Sequence, residues 1–205
     1  MKTLLTDGSG LLGKELRKYI KCDAPSSKKL DITQRKTLKG YYDVIVHCAA
    51  YTDLIRAETE KEDCFKTNVT GTLNLLRVYP HTRFIYISTE YVKNPVNFYS
   101  RTKLWGEELV KAHCKDYLII RTLFKQKPFP YKYAFFDQWT CGDYVDVIAP
   151  MIVKEMFKGL IGTVNIGTGR KTMFELARQT KPNIKGISVD DVTEVKLPKD
   201  YYVST

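Results

Sequence analysis

The sequence lacks paired cysteines. Its five, Cys22, Cys48, Cys64, Cys114 and Cys141, are odd in number and widely spaced, and none forms a C-x-x-C pair. That excludes a zinc ribbon and a dithiol redox motif. Cys48 and Cys64 lie in apolar patterns and read as small core hydrophobes. Histidine is scarce too: His47, His81 and His113 make no ligand cluster, so no metal is expected. No apolar run approaches the roughly 20 residues needed to cross a bilayer. The run at Leu4 and Leu5 stops at once at Asp7 and Gly8, so no secretory leader is expected either, and a soluble cytoplasmic protein is the default. Internal repeats and low-complexity tracts are missing as well. Negative charge is the scarcer sign, with 23 acidic against 33 basic residues and a net charge of +10. That surplus reads either as a solubilising surface or as a match to an anionic partner, phosphates of small molecules or nucleic acid.

What is present is an alternation. Short runs rich in Val, Ile, Leu and Tyr at 3–6, 44–48, 84–88, 118–121 and 164–166 read as buried parallel strands. Helical patterns lie between them. Leu11, Leu12, Leu16, Tyr19 and Ile20 share one face, as do Phe65, Val69, Leu73, Leu76 and Tyr79, and later Leu104, Leu109 and Val110. Thr172 and Glu175 read as a capping box opening a further helix. The expected fold is a doubly wound α/β sheet of Rossmann type, with ligands at the carboxyl ends of its strands. With 205 residues, a core at 1–122 and a small lobe at 123–205, with segments returning to the core, fit the length. The stretch 124–136, "FKQKPFPYKYAFF", reads as a loop reaching toward that lobe or as a plain connector.

Behind the first strand runs "TDGSGLLG". A strand that turns sharply into a helix presents free N–H groups to an anion, and glycines let a pyrophosphate approach the backbone. Gly8, Ser9, Gly10, Leu11, Leu12 and Gly13 form this candidate cofactor turn, with positive φ expected at Gly8 and Gly10. Asp7 stands where the first glycine is expected. Its carboxylate either faces the phosphates and repels them or bonds backbone N–H groups in the turn, with Gly8 absorbing the sharp dihedrals. Where an acid would bind a ribose 2′-hydroxyl, the chain offers Ser26, Ser27, Lys28 and Lys29. Hydroxyls and ammonium groups suit a 2′-phosphate, so NADPH is the expected cofactor, with NADH possible. Asp31 follows, at the adenine edge, with Ile32 beside it.

Tyr99 and Lys103 stand four residues apart at the start of a helical pattern and share a face. A lysine ammonium beside a phenol stabilises the phenolate and makes the tyrosine a usable general acid for carbonyl reduction. The preceding strand ends in Ser88 and Thr89, whose hydroxyls are candidates to bind a substrate oxygen.

The segments "TDGSGLLGKEL", "LDIT", "DVIVHCAAYTDLIRAE", "KTNVTGTLNLL", "FIYISTEYV", "FYSRTKLWGEELV" and "LIIRT", within residues 1–122, resemble in order the extended short-chain dehydrogenase/reductases, and more narrowly the dTDP-4-dehydrorhamnose reductase family. "DQWTCGDYVDV" and "LPKDYYVST" are similar to weaker signatures near that family's C-terminus. The resemblance implies reduction of the 4-keto group of a 4-keto-6-deoxy sugar on dTDP or UDP. It implies Tyr99 as proton donor, Lys103 on the nicotinamide ribose, and Thr89 with Ser88 orienting the sugar carbonyl. Cys48, Ala49, Ala50 and Tyr51 match a loop lining the cofactor, and Asn68 a helix position near the site. Glu90 replaces the family's usual Asp after the Ser-Thr pair and is a substrate-side candidate. Lys125, Lys127 and Lys132 are positioned to meet a sugar diphosphate. The resemblance also suggests a homodimer through helices at 62–79 and 99–114. Two departures stand beside Asp7: only seven residues separate Tyr91 from Tyr99, and the segment after Arg121 is short. Regulatory subunits that resemble this family, among them the β subunit of methionine adenosyltransferase, give the alternative, a non-catalytic NADP-binding subunit. A nucleic-acid partner is not expected, since no recognised RNA or DNA module is visible.

Overall fold

The structure, a computed structural model, describes residues 1–200. The first part runs β1 (Thr3–Thr6), α1 (Leu11–Leu16), β2 (Val44–His47), α2 (Leu54–Thr59), α3 (Lys61–Phe65), α4 (Gly71–Val78), β3 (Arg83–Thr89), α5 (Phe98–His113) and β4 (Tyr117–Thr122). The rest adds four short strands, β5 (Phe124–Lys125), β6 (Tyr133–Phe135), β7 (Trp139–Thr140) and β8 (Asp143–Tyr144). It continues with α6 (Val145–Met156), β9 (Gly162–Asn165), β10 (Lys171–Thr172), α7 (Met173–Arg178) and β11 (Lys185–Ile187).

Five strands form one parallel sheet in the order β1-β2-β3-β4-β9. A bridge from Leu4 to Asp23 extends it by one residue pair beyond β1. The strands are apolar throughout because both faces are covered. On one face Leu5, Val46, Ile85, Ile87, Leu118 and Ile120 pack against Leu12 and Leu16 of α1 and Ile148, Ala149 and Ile152 of α6. On the other, Leu4, Ile45, Phe84, Tyr86 and Ile119 meet Leu75 and Leu76 of α4 and Val110 of α5. A third cluster joins Tyr91, Tyr99 and Leu123 to Phe129, Tyr144, Met173 and Leu176 of the lobe. These later segments are therefore packed onto the carboxyl edge of the sheet. Segment 124–136 is not a bare loop: β5 pairs with β8, and β6 pairs with β11.

Two sequence expectations shift. The stripe from Phe65 to Tyr79 is not one continuous α-helix. A π-helical turn, Lys66–Thr70, lies between α3 and α4. Its wider winding changes the phase, so Cys64 and Asn68 point inward while Phe65 is left 43% exposed. Leu11 and Tyr19 are exposed, while Leu12, Leu16 and the partly buried Ile20 reach the core. The Thr172–Glu175 capping box forms as expected. The final five residues of "LPKDYYVST" lie outside the described residues.

Candidate active site

The glycine turn closes as a tight bend in which the Gly10 N–H donates to the Asp7 carbonyl at 3.0 Å. The left-handed dihedral falls on Asp7 itself, at φ 55°, and not on Gly8 or Gly10 as expected. Asp tolerates that region better than most residues because its short polar side chain bonds locally. The Asp7 carboxyl takes a hydrogen bond from the Gly10 N–H, while partial burial raises its pKa above the ordinary carboxylate value. Gly8 and Gly13 are needed for close approach. A Cβ on Gly8 would stand 2.5 Å from Ala24 Cβ, and one on Gly13 would stand 2.1 Å from the Asp7 carbonyl oxygen. Ser9 and Leu11 face solvent, and Leu12 points into the core.

The loop after β2 is held from both sides. Thr6 Oγ1 accepts the N–H groups of Cys48 and Ala49 at 3.1 and 3.0 Å. Asn68 Oδ1 accepts the Tyr51 N–H at 2.8 Å, and its Nδ2 donates to the Tyr51 carbonyl at 3.1 Å and to Thr102 Oγ1 at 2.9 Å. Ala50 lies between the two clamps. Behind the loop, His47 bonds Thr6 Oγ1 at Nδ1 and Thr72 Oγ1 at Nε2. The Thr72 hydroxyl spends its proton on the Asn68 carbonyl, so His47 Nε2 must be the donor and Nδ1 the acceptor. Burial, aided by the Lys103 charge, lowers the imidazole pKa to about 3 and keeps it neutral.

α5 starts at a capping box made by Asn97 and Ser100. Its buried stripe is polar: Tyr99, Thr102, Lys103 and Glu107 all face inward, beside Gly106 and Val110. Burial pushes the Tyr99 phenol pKa well above the ordinary value, against the opposing influence of the neighbouring Thr89 hydroxyl. Lys103 Nζ donates to the Ile87 carbonyl at 2.8 Å and lies 4.1 Å from the centre of the Tyr86 ring. Burial lowers its pKa to about 7, with Glu107 as the strongest opposing influence. The expectation that Lys103 lowers the Tyr99 pKa is thus corrected. The ammonium is tied to β3, and only the Thr89 hydroxyl opposes burial at the phenol. Ser88 is corrected as well: its hydroxyl donates to Glu107 Oε1 at 2.6 Å and is spent there. Sequence reasoning missed Glu107 and Arg121, although Glu107 continues the four-residue spacing from Tyr99 and Lys103.

Glu90 is buried beside Thr89 but turns to the lobe, where Thr140 Oγ1 donates to its Oε2 at 2.7 Å. Burial raises its pKa above the ordinary carboxylate value. Lys125 is half-buried, 5.1 Å from the Tyr131 ring centre, and burial lowers its pKa to about 8. Lys127 is paired with Asp146 at 3.3 Å, and Lys132 is exposed. Ser26, Ser27, Lys28 and Lys29 are all exposed, on a loop beyond β1. Asp31 closes a local turn, its Oδ1 accepting the Thr33 N–H at 2.9 Å and the Thr33 hydroxyl at 2.8 Å. Ile32 packs in the core, and its carbonyl takes Asn74 Nδ2 at 2.9 Å, so its side chain does not reach the turn. Among the described residues no cluster of His, Cys, Asp and Glu could hold a metal ion, and no helix is long and apolar enough to cross a membrane.

A Rossmann-like parallel sheet, a glycine turn after β1 and a Tyr-x-x-x-Lys helix after β3 place the chain among the extended short-chain dehydrogenase/reductases. The model of the RmlD substrate binding domain matches residues 1–148, and the chain belongs to that family. It is 31% identical over 146 residues to a dTDP-4-dehydrorhamnose reductase of Mycolicibacterium smegmatis, covering 59% of this chain and 45% of that protein. It is 29% identical over 150 residues to methionine adenosyltransferase 2 subunit beta of Danio rerio, covering 58% and 46%. The chain thus spans about half the length of the curated relatives it matches. Among solved structures, a Bacillus anthracis dTDP-4-dehydrorhamnose reductase in complex with NADP superposes with a TM-score of 0.86 at 25% identity, covering 98% of this chain and 88% of that one.

Proposed function

We propose that the chain is an NADPH-dependent reductase of the 4-keto group of a nucleotide-activated 4-keto-6-deoxy sugar, dTDP- or UDP-linked, in deoxysugar biosynthesis. NADH is the second cofactor. The observation that carries this reading is Tyr99 beside the Thr89 hydroxyl with Lys103 one turn further along α5, at the sheet edge that also bears the glycine turn. The residues fit the dinucleotide. Gly8, Gly10 and Gly13 keep the turn nearly free of side chains. Thr122, paired in register with Thr89, buries a hydroxyl with no partner, as expected of a site completed by a ligand.

In this reading the turn and the loop Cys48, Ala49, Ala50 and Tyr51 hold the dinucleotide, and Ser26, Ser27 and Lys28 meet its 2′-phosphate. When bound, the nicotinamide supplies the hydride. Thr89 orients the sugar carbonyl against Tyr99, which burial keeps protonated and ready to donate to the carbonyl oxygen. Lys103, held on β3 by the Ile87 carbonyl, meets the nicotinamide ribose. Lys125, a half-buried ammonium, faces the sugar diphosphate. A cytoplasmic location accords with this activity. The exposed Phe65 and Trp105, stacked edge-on at 5.9 Å on α3 and α5, support a homodimer through those helices, tested by sedimentation of Trp105→Glu.

A second reading, a non-catalytic NADP-binding subunit, is favoured by one observation: Lys103 is tied to Ile87 and not to Tyr99. Turnover of a dTDP-linked 4-keto-6-deoxy sugar with NADPH separates the two. Turnover supports the reductase; NADPH binding without turnover supports the subunit.

A further inference from the structure

Tyr99, Lys103 and Glu107 follow one another at four-residue intervals on the inner stripe of α5, and each meets β3. Tyr99 lies beside the Thr89 hydroxyl, Lys103 bonds the Ile87 carbonyl, and Glu107 takes the Ser88 hydroxyl. Glu107 is fully buried, and Arg121 of β4 grips it: Nε lies 3.0 and 3.2 Å from the two carboxylate oxygens and Nη2 lies 2.6 Å from Oε2. Ser88 and Arg121 are direct register partners on neighbouring strands. The carboxylate therefore pins the helix to two strands at one point.

A buried ion pair is weak as a stability device, because desolvation offsets most of its attraction. A functional role for its charge is more informative, and Lys103, one turn earlier on the same helix, feels that charge. We propose that Glu107 is a positioning residue of the reaction, clamped by Arg121 and Ser88 so that it fixes Lys103 and Tyr99 against the end of β3 and supplies the negative charge that keeps the Lys103 ammonium in place. This rests on the reading of Tyr99 and Lys103 as the reacting pair.

The surroundings of Lys103 leave Glu107 that task. The groups that face it are Glu107 from its own helix, Cys48 after β2, Cys64 from α3, and the Tyr86 ring from β3. His47 of β2 also feels its charge but stays neutral. Both thiols are raised by burial and so carry no charge near neutral pH. Glu107 is the carboxylate of this set. Without it, burial acts on the lysine unopposed, and the neutral amine is favoured.

The test is an NMR titration of the Lys103 side chain in the full chain, which needs no turnover, beside a pH profile of keto-sugar reduction. Glu107→Gln keeps the shape and removes the charge. Glu108→Gln is the control, since Glu108 pairs with Lys111 on the exposed side of α5. We expect the Lys103 midpoint to fall by about one pH unit or more in Glu107→Gln. It stays put in Glu108→Gln. The basic limb of the turnover profile moves down with Lys103, at unchanged KM for the sugar nucleotide. Glu107→Asp, which retains the charge, restores the midpoint in part and serves also if the Gln variant fails to fold. A Lys103 midpoint that is the same in wild type and in the folded Glu107 variants overturns the proposal. A shifted midpoint in a chain whose wild type never reduces a keto sugar counts against the reductase reading and leaves the clamp standing.

Discussion

The Asp7 carboxylate lies directly over Gly10: a Cβ on that glycine would stand 2.0 Å from Asp7 Oδ2. A side chain with its own anionic head thus rests on the backbone that a pyrophosphate would use. Asp7→Gly removes the competing carboxylate and suits the left-handed dihedral. NADPH, followed by nicotinamide fluorescence, is expected to bind the variant about fivefold more tightly, one such repulsion being worth on the order of 1 kcal/mol in water. Equal or weaker binding would show that Asp7 does not oppose the phosphates.

Tyr99→Phe removes the hydroxyl assigned as proton donor in the proposed reaction while leaving the ring in its cluster. Turnover is expected to fall by about a hundredfold to ten-thousandfold. NADPH affinity and the melting temperature should stay near those of the wild type. Retention of full turnover would remove Tyr99 from the mechanism.

Gly13→Ala places a methyl group against the Asp7 carbonyl, at a helix–strand contact with no slack. Overpacking of this kind costs about 1–3 kcal/mol. A lowered melting temperature and weakened NADPH binding are expected together, because the same displacement moves the turn.

His47 gives a pH dependence of stability. Its folded pKa is about 3 against an ordinary 6.5, so between those values the unfolded chain binds a proton that the folded chain does not. Stability contributed by the neutral imidazole is present above pH 6.5 and is lost as pH falls toward 3. The slope from this group is roughly 1.4 kcal/mol per pH unit. His47→Gln keeps a donor and an acceptor without the titration. Urea melts at pH 7, 6 and 5 should show a shallower decline in the variant.

The sheet was legible in the sequence because buried parallel strands are short and continuously apolar, and all five expected runs fall on the five strands of the sheet. α6 was harder to see. Pro150 lies inside it, and proline argues against a helix interior, yet Ile148, Ala149 and Ile152 bury enough surface to hold it. The inner stripe of α5 misled for the opposite reason. Apolar periodicity selects Leu104, Leu109 and Val110, whereas the helix buries Lys103 and Glu107, whose charges are met by partners on β3 and β4 that lie far away in sequence. The π-turn at Asn68 leaves no compositional mark at all. In the candidate site, the shared face of Tyr99 and Lys103 could be read from their spacing, and Thr89 from its place at the end of a strand. The engagement of Ser88 and Glu90 could not, since it depends on Glu107 and Thr140.

The path of the chain between β4 and α6 has a consequence for how such molecules vary. It leaves the sheet at Thr122 and comes back at Val145, touching the frame only at the carboxyl edge before β9 takes its place beside β4. Material can be trimmed or enlarged within that excursion without rethreading a single strand, and the entropy of loop closure changes only logarithmically with its length. The excursion behaves as an interchangeable fitting on a constant chassis.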